Sequence, residues 1–138
     1  MYIVKCNGFV DSVTASKDKA GLQLKKIKLT HMIYSGFEIK KVGGTFPFYI
    51  IEREKGNFEF TPSLKNVSKA VKTIKRSTDA DPNEWNGDPM TIYVVEKEYV
   101  CKTPGLDRMG ELKHAHVDNS FLDAFDKGGI ENALEMYA

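Results

Sequence analysis

The stretch FYIIEREKGNFEFTPSLKNVSKAVKTIKR, residues 48–76, changes its hydrophobic period once along its length, and that change decides the fold class. Phe48-Tyr49-Ile50-Ile51-Glu52-Arg53 has the aromatic and β-branched content of a strand. Lys55-Gly56-Asn57 supplies turn formers, and Phe58-Glu59-Phe60 alternates at period two. Thr61-Pro62 then reads as a helix N-cap followed by proline at the first helical position. Leu64, Val67, Ala70, Val71 and Ile74 recur at i, i+3, i+6, i+7 and i+10, one apolar stripe of a helix. Strand, turn, strand and amphipathic helix in direct succession predict an α+β chain in which helix 62–76 packs on an antiparallel sheet.

Working outward, the N-terminus reads as a β-hairpin. Tyr2 to Cys6 alternates, Asn7-Gly8 suits a turn with two positive φ values, and Phe9-Val10 begins a return strand that fades by Val13. Residues 16–35 fit two periods. Ala20, Leu24, Ile27, His31 and Tyr34 form a helical stripe after Ser16, whereas Ile27, Leu29, His31 and Ile33 alternate as in a strand. Length before Gly36 favours helix 17–34. Residues 37–42 read as a strand that joins 48–53 and 58–60 in a three-strand meander. After a turn-rich loop at 78–89, Met90 to Val100 reads as one strand. A C-terminal helical segment opens at Asn119 or Ser120 and is interrupted by Gly128-Gly129. The expectation is a single α+β domain over 1–138, with two to three helices on a mainly antiparallel sheet.

Charge is sorted by position. Residues 1–78 hold 15 Lys/Arg against 6 Asp/Glu, for +9, while 79–138 hold 5 against 13, for −8, within a chain of net charge +1. Such segregation limits which partner each surface attracts. No run approaches the ~20 apolar residues of a membrane span, and MYIVKCNGF lacks the pattern of a signal peptide. Cytoplasmic residence and no membrane association follow as expectations. Cys6 and Cys101, each in an apolar strand-like run, read as buried free thiols.

Three constellations carry chemistry. The first is the outer face of helix 62–76, where Lys65, Lys69, Lys72, Lys75 and Arg76 stand with no acidic residue from Pro62 to Ser77. Like charges at i, i+4 repel by roughly 0.2–0.5 kcal/mol per pair, so an anionic surface would relieve them. Lys25, Lys26, Lys28, Lys40 and Lys41 form a second cluster that would extend the patch. Lysine predominates over arginine, so phosphate contacts would position a ligand without bidentate readout. Lys40-Lys41-Val42-Gly43-Gly44-Thr45 lacks the Lys-Ser/Thr ending of a phosphate loop and reads as a turn.

The second is His114-Ala115-His116-Val117-Asp118. On an extended segment its polar side chains share a face, a donor set that suits Zn²⁺ or Mn²⁺. The third is Trp85, alone among tryptophans and flanked by Asp81 and Glu84. Either it folds back onto the core or it marks a docking epitope for a basic partner. There is no nucleophile elbow and no cysteine or serine beside a recognisable base.

These features point to a small non-enzymatic binding or regulatory protein, extending to inhibitors of the viral type. Its basic helix would meet a nucleotide, a nucleic acid or an acidic protein surface, with no cofactor. Two alternatives stand beside it. One is a homo-oligomer that joins the basic half of one copy to the acidic half of the next. The other is a metal enzyme built on His114, His116 and Asp118.

Overall fold

The structure, a computed structural model, describes residues 1–30, 36–74, 85 and 87–138. Its elements run β1 (Tyr2–Cys6), β2 (Phe9–Thr14), α1 (Lys17–Thr30), β3 (Phe37–Lys41), β4 (Phe48–Glu52), β5 (Phe58–Thr61), α2 (Leu64–Lys72), β6 (Thr91–Val95), β7 (Tyr99–Val100), β8 (Lys113–His116) and α3 (Asn119–Tyr137). A 3-10 turn at Met109–Glu111 precedes β8. The chain is an α+β fold, and among the described residues it has three helices and two four-stranded antiparallel sheets. The first sheet has the order β3-β1-β2-β7 and the second β5-β4-β6-β8.

The two sheets pack face to face, and β4 shows why both of its faces are apolar. Phe48 and Ile50 join Ile3, Val4, Val10 and Val13 of the first sheet in one core. Tyr49 and Ile51 point the other way, into a second core with Val67, Ala70 and Val71 of α2 and with Phe121 and Leu134 of α3. Helix α1 packs on β1, β2 and β3, and α2 lies beside α3 on the second sheet. The layers therefore run α1, first sheet, second sheet, α2 with α3.

Local chemistry sets the element ends. Asn7 (φ 51) and Gly8 (φ 90) make the hairpin turn, since asparagine tolerates the left-handed region and glycine has no Cβ to oppose it. Ser16 Oγ accepts from Lys19 N–H at 3.2 Å at the start of α1. The helical reading of 17–34 holds over 17–30, and positions 31–35 lie outside the described residues. Within α3, Gly129 at φ 82 breaks the helical path where Gly128-Gly129 is expected to interrupt it.

Three sequence expectations are corrected. Residues 90–100 are not one strand: β6 pairs with β4 and β8, whereas β7 pairs with β2 in the other sheet. The charged triplet Glu96-Lys97-Glu98 carries the chain from one sheet to the other. The meander of 37–41, 48–52 and 58–61 is also absent, because β3 pairs with β1 while β4 pairs with β5. Finally, α2 starts later than Pro62. Ser63 is its N-cap, accepting from Asn66 N–H, and Thr61 ends β5.

Both cysteines are buried and unbridged. They sit on β1 and just after β7, strands separated by β2. Burial, reinforced by the Asp11 carboxylate, pushes the Cys6 thiol up to about 11. Burial raises Cys101 as well. A raised value keeps the thiol protonated, so native Cys6 should carry roughly 100-fold less thiolate at pH 8 than an ordinary thiol. Its reaction with Ellman's reagent should be correspondingly slow and rise only toward pH 11. Since the unfolded thiol ionises from about pH 9, this contribution to stability should be complete below pH 9 and fade above it. Rapid labelling of both thiols at pH 8 without denaturant would contradict the buried placement.

Candidate anion-binding groove

Helix α2 and strand β5 enclose a groove of about 350 Å³ on the outer side of the second sheet, lined by Arg53, Glu59, Phe60, Asn66, Lys69 and Thr73 among others. The N-cap of α2 fixes one end. Thr61 Oγ1 accepts from the Ser63 N–H at 3.1 Å and from Asn66 Nδ2 at 3.0 Å, binding the end of β5 to the first turn of the helix. Arg53 closes the other end. Its Nε donates to Glu59 Oε1 at 2.6 Å and its Nη1 to Thr73 Oγ1 at 3.0 Å. Two of its fork positions are thus held by protein, and its charge is locally balanced by Glu59.

The net positive charge of this site rests on α2. Val67, Ala70 and Val71 are buried, so Lys65, Lys69 and Lys72 project outward and are exposed. Among the described residues, none of the three has an ion-pair partner. The acidic helix α3 lies beside α2, yet no described ion pair joins them. Lys75 and Arg76, expected to continue the face, lie outside the described residues.

The second lysine cluster divides. Lys40, exposed on β3, places Nζ 5.4 Å from the ring centroid of Phe60, which packs against the core between the sheets, so Lys40 stands on the opposite face of β5 from the groove. Lys5 does the same over Phe58 at 5.9 Å, and the two phenyl rings stack at 6.1 Å. Lys41 instead lies over Tyr2 at 5.9 Å. Lys25, Lys26 and Lys28 belong to α1 on the far side of the sandwich, so they do not extend the patch. The Gly43-Gly44 segment is structural: a Cβ on Gly44 would stand 2.5 Å from Pro62 Cγ, which only glycine avoids.

The other two constellations come apart in part. His114 and His116 do share a face, their rings 5.4 Å apart, with His114 also against Tyr93 at 5.5 Å. The Nδ1 atom of each is engaged within the fold, however. His114 Nδ1 donates to the Leu112 carbonyl at 2.7 Å, and His116 Nδ1 pairs with Thr91 Oγ1 at 2.9 Å. The Asp118 carboxylate caps α3 by accepting from Phe121 N–H at 2.9 Å. Among the described residues no three His, Cys, Asp or Glu side chains are grouped so as to hold a metal ion. Trp85 is partly buried and packs against the helix-side core. Its neighbours Asp81 and Glu84 lie outside the described residues.

Arg53, Glu59, Asn66 and Thr73 are groove residues that sequence reading does not single out. Their proximity depends on cross-strand and helix–strand packing, and Arg53 looks like an ordinary polar end to an apolar strand. Among the described residues, no helix is long and apolar enough to cross a membrane. No family model, curated protein or solved structure matches the chain.

Proposed function

We propose that the protein is a non-enzymatic binding protein that receives an extended anion, a nucleic-acid backbone or an acidic protein strip, along α2 and its groove. The observation that carries this reading is the row Lys65, Lys69 and Lys72, exposed and without ion-pair partners among the described residues. Lys69 has a like charge at i−4 and another at i+3, so a bound anion removes repulsion as well as adding attraction. Arg53 is already held by Glu59 and Thr73, which leaves the ammonium groups as the contacts. Point charges of this kind position a phosphate chain without reading bases. The buried free thiols suit a reducing, cytoplasmic setting.

Fluorescence anisotropy with labelled single-stranded and duplex oligonucleotides and a poly-glutamate peptide tests the reading. At least one probe should bind at low salt, with affinity falling linearly on a log–log plot against salt. Three neutralised phosphates give a slope of about −2 to −3. Absence of binding to every probe at roughly 20 mM salt, where the Debye length exceeds 20 Å, would sink the proposal.

A further inference from the structure

The outer edge of β3 is complementary to itself. Among the described residues, β3 lies at the end of the first sheet and pairs only with β1. The phase of that ladder is fixed at both ends. Met1 and Val42 exchange hydrogen bonds at 2.6 and 2.9 Å, and Asn7 N–H donates to Gly36 O at 3.0 Å. Bonded pairs alternate along an antiparallel ladder, so Ile3/Lys40 and Lys5/Glu38 are the bonded pairs between them. The N–H and C=O groups of Ile39 and Lys41 therefore point away from β1. Among the described residues no hydrogen bond reaches them from the other side. Ile39 is itself 38% exposed, and Glu38, Lys40 and Lys41 are exposed.

We infer that this edge takes a second copy of the chain, β3 against β3, antiparallel about a two-fold axis at Ile39. In that register Ile39 lies opposite Ile39 of the copy, and the two exchange main-chain hydrogen bonds. Glu38 falls opposite Lys40, and Phe37 opposite Lys41. The Glu38–Lys40 contact repeats on both sides of the axis, which is the isologous pattern a two-fold interface requires. The Glu38–Lys40 contacts fall at non-hydrogen-bonded positions, where opposed side chains are closest. Among the described residues only Oε1 of Glu38 is engaged, by Lys5 Nζ at 3.0 Å. Sliding the copy by one hydrogen-bonding step brings Lys40 against Lys40 or Glu38 against Glu38, so charge selects a single register.

This interface differs from one that joins the basic half of one copy to the acidic half of another. Its main-chain bonds are not screened, so it should survive roughly 0.5 M salt, whereas exposed charges would be screened within about 4 Å. It is read without any ligand, independently of anion binding. Sedimentation velocity across micromolar concentrations should show a monomer–dimer equilibrium. Ile39→Pro removes the central donor, whose N–H is unused in the monomer, and should give a monomer with unchanged circular dichroism. Lys40→Glu should weaken the dimer about tenfold by setting carboxylates opposite each other, and adding Glu38→Lys should recover it. A chain that stays monomeric to roughly 100 times the dissociation constant of a weak micromolar dimer overturns the inference. A dimer indifferent to both Ile39→Pro and Lys40→Glu overturns it equally.

Discussion

Replacing Asp11 with alanine should cost about 3–5 kcal/mol and lower the melting temperature by roughly 10–15 °C. Asp11 lies on β2 and is fully buried. Its Oδ1 accepts from Gln23 Nε2 of α1, and its Oδ2 accepts from the Gly105 N–H at 3.0 Å. Its own carbonyl accepts from Cys101 N–H at 3.0 Å, and Gln23 Nε2 reaches the Cys101 carbonyl at 3.2 Å. One carboxyl group therefore ties a central strand to the helix above it and to the loop after β7. Alanine strands a buried main-chain donor and a buried amide, each costing about 1–3 kcal/mol. Asparagine should cost less, because its oxygen still serves Gly105. Its amide then opposes the Gln23 amide, and a flipped Gln23 loses the Cys101 carbonyl. Guanidinium denaturation gives the comparison directly. A loss under about 1 kcal/mol for Asp11→Ala, with unchanged slope, would show that these bonds are replaced by water.

The same region explains what the sequence hides. Phe9-Val10-Asp11-Ser12-Val13-Thr14 is buried at every position, because α1 covers one face of the strand and the second sheet the other. A polar Asp-Ser pair inside a strand ordinarily signals a solvent face, so the alternation test reads β2 as fading out. The division into two sheets is hidden for a related reason. Phe48-Tyr49-Ile50-Ile51 is apolar on both sides, which marks a buried strand without saying what lies on each face. Glu96-Lys97-Glu98 looks like the polar side of a continuous strand, yet it is the crossing between sheets. By contrast, the Asn7-Gly8 hairpin, the apolar stripe of α2 and the Gly128-Gly129 break rest on local chemistry and are legible residue by residue.

The candidate site divides along the same line. Lys65, Lys69 and Lys72 share a helix face by spacing alone, so the sequence exposes them. The contact of Lys40 with Phe60 needs two sheets to meet, and the sequence holds no sign of that. The charge split also acquires a geometry. Basic α2 and acidic α3 lie side by side in one layer, without a described ion pair between them. A partner that meets the lysines is thereby confined on one flank by like charge, since Asp123, Asp126, Glu131 and Glu135 repel an anion.

That confinement makes charge reversal on α2 the most informative binding experiment. Lys65→Glu, Lys69→Glu and Lys72→Glu together should reduce affinity for the anionic probe at least 100-fold at low salt. Each lysine near an anionic surface contributes on the order of 1 kcal/mol, and each glutamate adds repulsion where attraction was lost. The fold should tolerate the change. Buried Val67, Ala70 and Val71 are untouched, and repulsion among lysines is exchanged for similar repulsion among glutamates. Lys69 and Lys72, both in the last turn, each give up a favourable dipole contact of about 0.3–1 kcal/mol. The control is the reversal of Lys25, Lys26 and Lys28 on α1, which changes the net charge equally but on the opposite side of the sandwich. Long-range steering alone would weaken both variants alike, and more at low salt. A local site weakens the α2 variant by two orders of magnitude and the α1 variant by only a few-fold. Equal losses in the two would remove α2 as the binding surface, leaving overall charge as the cause.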